Sequence, residues 1–405
     1  MELYHSNSDM SVKRYFGPGA LVAAAFIGPG TLTVCTLAGA RFGNELLWVL
    51  LFAVIATMIL QEMSARLGLI SQKGLGEAIR TSITNPIARF SAVSLVFVAI
   101  IIGNAAYEMG NVTGAALGLA HPAYDNMVFG PIIIGIIAGS LIWFGNFKLI
   151  QNFLVVLVVI MSLVFLTTAI VVTRDLADLI SGFIPSLTKE NQLMALGLIG
   201  TTIVPYNLFL HASTVSKQWT SASQLPELRK ELVFTIGLGG LISMAVLVTA
   251  ASMEGGLIQN VNDMSLQLQP LLGDFAPIFM AIGLFAAGIS SALTAPIAAG
   301  LTAKGIFGWD VNTKKERIVS LGILLVGVSL SLLGLKPLLA IQIAQVANGI
   351  LLPVIAIFLL WMCNKENLMG AYANSKNQNL LGLVVVLITL VISFRSFNAV
   401  FQFIQ

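Results

Sequence analysis

The chain has 405 residues, 57% of them hydrophobic and only 10% charged, with a formal net charge of +3. Soluble domains carry about 25% charged residues, so this composition cannot cover a water-facing surface, and it describes an all-α integral membrane protein. Nothing in it supports nucleic-acid binding, and Cys35 and Cys363, far apart in or beside apolar stretches, predict buried small residues rather than a disulfide or CxxC metal site.

A hydropathy window of about 19 residues marks candidate spans in chain order. They run near 17–40, 46–68, 90–119, 129–145, 150–173, 192–215, 232–252, 274–304, 317–334, 338–362 and 379–401. The first contains FIGPGTLT, residues 26–33, with helix breakers in the middle of an apolar run. The second ends in QEMSARLG, where Glu62 and Arg66 are spaced as an i, i+4 pair. The third holds Glu108, the one acid set deep in a span, and a Gly-x-x-x-Gly spacing at Gly110 and Gly114 that suits close helix contact. In the sixth, GTTIVPYNLFLHAS at 200–213, Pro205 removes a backbone donor in mid-span. The tenth carries QVANGILLP, with Gln345 and Asn348 one turn apart. Loops hold the Pro, Asn and charged clusters, and no soluble domain interrupts the series.

Basic residues set the expected orientation. With the N-terminus inside, sixteen of the 21 Lys and Arg residues are cytoplasmic, and Arg41, Arg174, Lys189, Lys336 and Arg395 remain outside. The expectation is a multi-pass cell-membrane protein with its N-terminus cytoplasmic and its C-terminus outside.

Spans one and six occupy corresponding positions of two five-span halves. An odd number of spans per half inverts the second, and paired interruptions in inverted halves point to a transport site near the midplane. Unwound backbone is tolerated at that depth where protein or a watery cavity satisfies it. The carbonyls around Ile27, Gly28 and Val204 then become candidates to face a substrate. The organisation expected is one transmembrane domain over 1–405: repeat one about 17–173, repeat two about 192–362, and an extra helix about 379–401.

These segments carry a resemblance. IGPGTLTVCTLAGARFGNELLW, QEMSARLG, GTTIVPYNLFLHAS, LFAAGISSALTAPIAAG and QVANGILLP match, in order and spacing, the Nramp family of divalent-metal transporters over nearly the whole length. The resemblance implies a LeuT-like fold of two inverted five-helix repeats plus an eleventh helix, and secondary, usually proton-coupled, uptake of metal ions. At the centre the chain departs from the family. The family's span-one Asp-Pro-Gly-Asn is Gly28-Pro29-Gly30-Thr31 here, and its span-six Met-Pro-His-Asn is Val204-Pro205-Tyr206-Asn207. The carboxylate and the soft sulfur that help select transition metals are therefore absent.

Neutral oxygen and nitrogen chemistry remains. The candidate substrate-binding residues are Gly28, Thr31, Thr201, Val204, Tyr206, Asn207, Gln345 and Asn348, with Thr33 and Thr202 beside them. Such a set suits a hydrated hard cation such as magnesium, which family relatives lacking the methionine also handle, and equally a small neutral solute. The metal ligands themselves stay unassigned. By resemblance Glu108 and Asn111 stand where the family has an Asp and a Glu on its proton path, so half of that acidic pair is gone. His211 matches a family histidine one turn beyond the second break and is the other proton-path candidate. Transport uncoupled from protons is the expectation. No Walker A loop or catalytic pattern stands out, so neither an ATP-driven pump, an enzyme nor a cofactor is implied. A membrane receptor or scaffold that has lost transport is the competing class; the sequence leaves the oligomeric state open.

Overall fold

Leu-, Ile-, Val- and Ala-rich runs must satisfy their backbone polar groups internally when lipid surrounds them, and helix does this within one segment. The computed structural model describes residues 28–119, 129–144, 148–253, 258–309 and 314–404, which contain helices and no strand. Repeat one contributes α1 (Pro29–Phe42), α2 (Leu47–Ser71), α3 (Pro86–Leu119), α4 (Phe129–Phe144) and α5 (Lys148–Val172). Span six is two helices, α6 (Gln192–Thr202) and α7 (Pro205–Gln218). Then come α8 (Leu225–Ala251), α9 (Ala276–Phe307), α10 (Lys315–Ser331), α11 (Pro337–Cys363) and α12 (Lys376–Ile404). Helix thus occupies every one of the sequence spans, although residues 17–27 of the first lie outside the described residues. Eight helical runs among the described residues are long and apolar enough to cross a membrane.

The helix ends follow local chemistry. Both α1 and α7 place a proline at the first helical position, where no backbone donor is required. A short helix absent from the span list, Leu75–Ser82, forms because Leu75, Ala78 and Ile79 share a buried face while Glu77 and Arg80 lie off it. It packs against the end of α9.

The helix α3 crosses the centre and packs on α9, α10 and α11; α1 packs on α8, α6 on α11 and α7 on α2. Between membrane helices the driving force is close packing rather than water exclusion, so small residues mark the seams. Gly200 of α6 is the tightest case: any Cβ there would run into the Gln345 carbonyl and stand 2.7 Å from the Gly349 nitrogen of α11. Large apolar residues such as Phe144, Ile170, Phe234 and Leu325 are exposed on the outer surface, as lipid-facing positions should be.

Candidate transport site

The site is built where two helices begin and one ends. Gly28, with extended backbone (φ −93°, ψ 176°), caps α1. The helix α6 stops at Thr202; Ile203 and Val204 are non-helical, and α7 starts at Pro205. Proline is a favoured helix starter, so Tyr206 and Asn207 wind into the first turn of α7, as Gly30 winds into that of α1. The last carbonyls of α6 lack intrahelical partners by construction; that of Thr202 receives the Thr57 hydroxyl at 3.5 Å. The carbonyl of Ile27, the other backbone candidate, lies outside the described residues.

Direct contacts join these ends. The hydroxyls of Thr31 on α1 and Thr201 on α6 lie 3.0 Å apart. Gly30 sits against the Gln345 carboxamide of α11: a Cβ on Gly30 would fall about 2.5 Å from Cδ and 3.0 Å from Oε1. Gly28 faces α9 and α3, with Ser291 Oγ and the Tyr107 hydroxyl 3.0 and 3.5 Å from the position of a Cβ. The rings of Tyr107 and Tyr206 are 5.4 Å apart. Asn348, one turn beyond Gln345, approaches Gly103 of α3.

These polar groups are buried yet unmatched. Thr33, Tyr206, Ser291 and Asn348 each have a buried side-chain atom with no hydrogen-bond partner among the described residues, and Asn207 and Gln345 have two each. An unpartnered buried polar group costs about 1–3 kcal/mol, so a cluster of them signals a place built to receive something else. No group of three or more His, Cys, Asp or Glu occurs there or elsewhere among the described residues.

The proton-path candidates have protein partners of their own. Asn111 Nδ2 donates to Glu108 Oε2 at 3.2 Å, and Glu108 packs against Gly327 of α10. Its other oxygen has no partner among the described residues. His211 Nδ1 lies 2.7 Å from Gln61 Oε1 of α2, in a buried, hydrogen-bonded pair. The Glu62–Arg66 pair is present at 3.0 Å, and Arg229 of α8 joins it at 2.6 Å. Tyr107 and Ser291 escaped sequence reasoning as site residues; the polar Ser290-Ser291 pair inside an otherwise apolar span was the available signal.

The described helices form a bundle of LeuT-like fold, which solved structures share. A manganese transporter of Eremococcus coleocola, in complex with an aromatic bis-isothiourea compound, matches with TM-score 0.78 and 22% identity, covering 98% of this chain and 88% of that one. MhsT bound to L-phenylalanine matches with TM-score 0.64 and 16% identity, covering 97% and 100%. The chain belongs to the Nramp family: the model of Natural resistance-associated macrophage protein-like proteins matches residues 19–398. The divalent metal cation transporter MntH of Deinococcus radiodurans is 27% identical over 395 residues, covering 94% of this chain and 88% of that protein. MntH of Acidiphilium cryptum is 28% identical over 382 residues, covering 89% and 84%. These relatives are named as metal cation transporters and not as enzymes.

Proposed function

We propose that this protein is a secondary transporter working by alternating access, with its substrate held between the start of α1 and the α6–α7 break, and that the substrate is a small divalent cation that keeps part of its water shell. The observation that carries this is the set of unpartnered buried amides and hydroxyls on Asn207, Gln345, Asn348, Tyr206 and Ser291. Carboxamide, hydroxyl and helix-end carbonyl oxygens are hard ligands, and α6 directs its negative end at the break. With no carboxylate in the set, the ion's charge is poorly compensated if it is stripped bare, so retained water is part of the reading. The relatives named as divalent metal cation transporters support the charge of the substrate. In this reading the inverted repeats span about 17–173 and 192–362, and the basic residues place the N-terminus in the cytoplasm and the C-terminus outside.

Purified protein in liposomes, loaded with an indicator for magnesium or manganese, tests the proposal. Ion flux that Gln345→Leu abolishes is expected; absence of flux for every divalent ion offered would leave a receptor or scaffold. A neutral solute is the second reading, favoured by the missing acids, and would show as solute uptake that divalent ions do not compete for.

A further inference from the structure

Apart from the central site, a cavity of about 620 Å³ lies between the start of α3, the short helix Leu75–Ser82 and the end of α9. Its lining combines two arginines, Arg80 and Arg89, with an apolar wall that includes Phe90, Phe97, Val98 and Phe307, and no acid lines it. Arg80 is held in place: its Nε donates to the Gly305 carbonyl at 3.1 Å and its guanidinium lies against Gly308. Its terminal nitrogens have no acceptor among the described residues, and the exposed Arg89 side chain has no ion pair or hydrogen bond there at all.

Depth along α3 orders these groups. The helix has 34 residues, about 51 Å at 1.5 Å per residue, longer than the ~30 Å hydrocarbon core. Arg89 stands in its first turn and Val98 about 14 Å further along the axis, the relation of a headgroup to the chains beneath it. Phe90 and Val98 are exposed, and Phe97 meets Phe307 edge-on at 5.0 Å. Trp309 stacks on Phe307 at 5.2 Å, and Lys315 Nζ lies 5.8 Å from the Trp309 ring, the aromatic and basic pairing found at membrane–water interfaces.

We propose that this cavity is a binding site for an anionic phospholipid, its phosphate held by Arg80 and Arg89 and its chains laid along Phe90, Phe97 and Val98. Basic pockets between membrane helices bind such headgroups. A free anion would use the arginines but leave the adjoining apolar wall unexplained. The site is independent of the transport reading, since none of its residues belongs to the central cluster.

Native mass spectrometry of the full chain in detergent, titrated with dioleoyl phosphatidylglycerol or dioleoyl phosphatidylcholine, tests it. Phosphatidylglycerol is expected to bind in preference. Arg89→Gln, which breaks no ion pair or hydrogen bond among the described residues, should weaken that binding about fivefold and the Arg80→Gln/Arg89→Gln double variant about 25-fold. Phosphatidylcholine binding and the melting temperature of Arg89→Gln should stay at wild-type values. Equal phosphatidylglycerol binding by wild type and Arg89→Gln overturns the proposal. So does an equal loss in Lys376→Gln, a basic residue outside the cavity, or displacement of the lipid by inorganic phosphate. Binding that emerges only after residues 2–20 are deleted would give the cavity to the chain's own N-terminal segment, and would overturn it as well.

Discussion

Arg66 at the end of α2 and Gln345 in the middle of α11 are both almost wholly buried, at 1% and 0% exposure, but their surroundings differ. Arg66 donates to Glu62, to the Tyr372 carbonyl and to Asn374 Oδ1, and Glu62 takes Arg229 as well. The network ties α2 to α8 and to the segment between α11 and α12. Gln345 is enclosed with both carboxamide atoms unmatched, and Asn207 is in the same condition. A satisfied buried network holds helices in one arrangement. Buried groups left unsatisfied are retained at a cost to stability, which function must justify. In these two regions the contrast is between matched and unmatched polarity, whatever the residue type.

Four measurements break or sharpen that contrast. Arg66→Ala leaves Glu62 with Arg229 alone and removes the donor of the Tyr372 carbonyl and Asn374 Oδ1, and should cost about 1–3 kcal/mol; the thermal stability of purified protein in detergent reads it. A variant as stable as wild type would show that the network is ornamental. The central region should respond in the opposite sense. Gln345→Leu or Asn207→Leu should cut ion flux in liposomes by about tenfold or more, the worth of one lost polar contact, while the melting temperature holds or rises. If these variants instead melt earlier at full flux, the unmatched carboxamides are structural.

Ligand chemistry gives the third test. With no sulfur or carboxylate in the cluster, manganese and cadmium should bind at about millimolar affinity or weaker, and Val204→Met should tighten cadmium about tenfold by adding a thioether beside the break. Calorimetry measures both. Micromolar binding by the unaltered protein, lost in Thr31→Ala, would mean that backbone carbonyls and hydroxyls suffice. The smallest effect is expected at Glu108. Its side chain accepts from Asn111 and packs against Gly327 of α10, so Glu108→Gln, which keeps the size and one acceptor oxygen, should leave substrate flux unchanged and no proton movement should accompany it. Substrate-driven acidification inside liposomes, lost in Glu108→Gln with flux retained, would assign the proton to this carboxylate.

How much was legible in the sequence differs between the regions. The i, i+4 spacing announced the Glu62–Arg66 pair, but Arg229 is 167 positions from Glu62, and no local pattern links them. His211 stood in the sequence as a proton-path candidate; its contact with Gln61, 150 positions away, comes from the packing of α7 on α2. At the centre, the Gly-Pro-Gly triplet and Pro205 read as helix breakers in the sequence, whereas Pro29 and Pro205 each begin a helix, because proline is suited to the first helical position. Tyr107 and Ser291 went unread because what matters about them is the approach of Gly28 on another helix.

Sequence by itself determined that this is an all-helical membrane protein of the Nramp family, where its spans lie, and that its central motifs lack the carboxylate and sulfur of that family. These properties are local: hydropathy, backbone donors and side-chain chemistry belong to each residue wherever it ends up. Tertiary structure alone decided which buried polar groups are matched and which are left open, that Gly30 makes room for Gln345, and that Arg80 meets Arg89 at one cavity. Those outcomes depend on which helices pack together and at what rotation, and glycine-lined seams such as Gly200 on α11 set both through contacts between residues far apart in the chain.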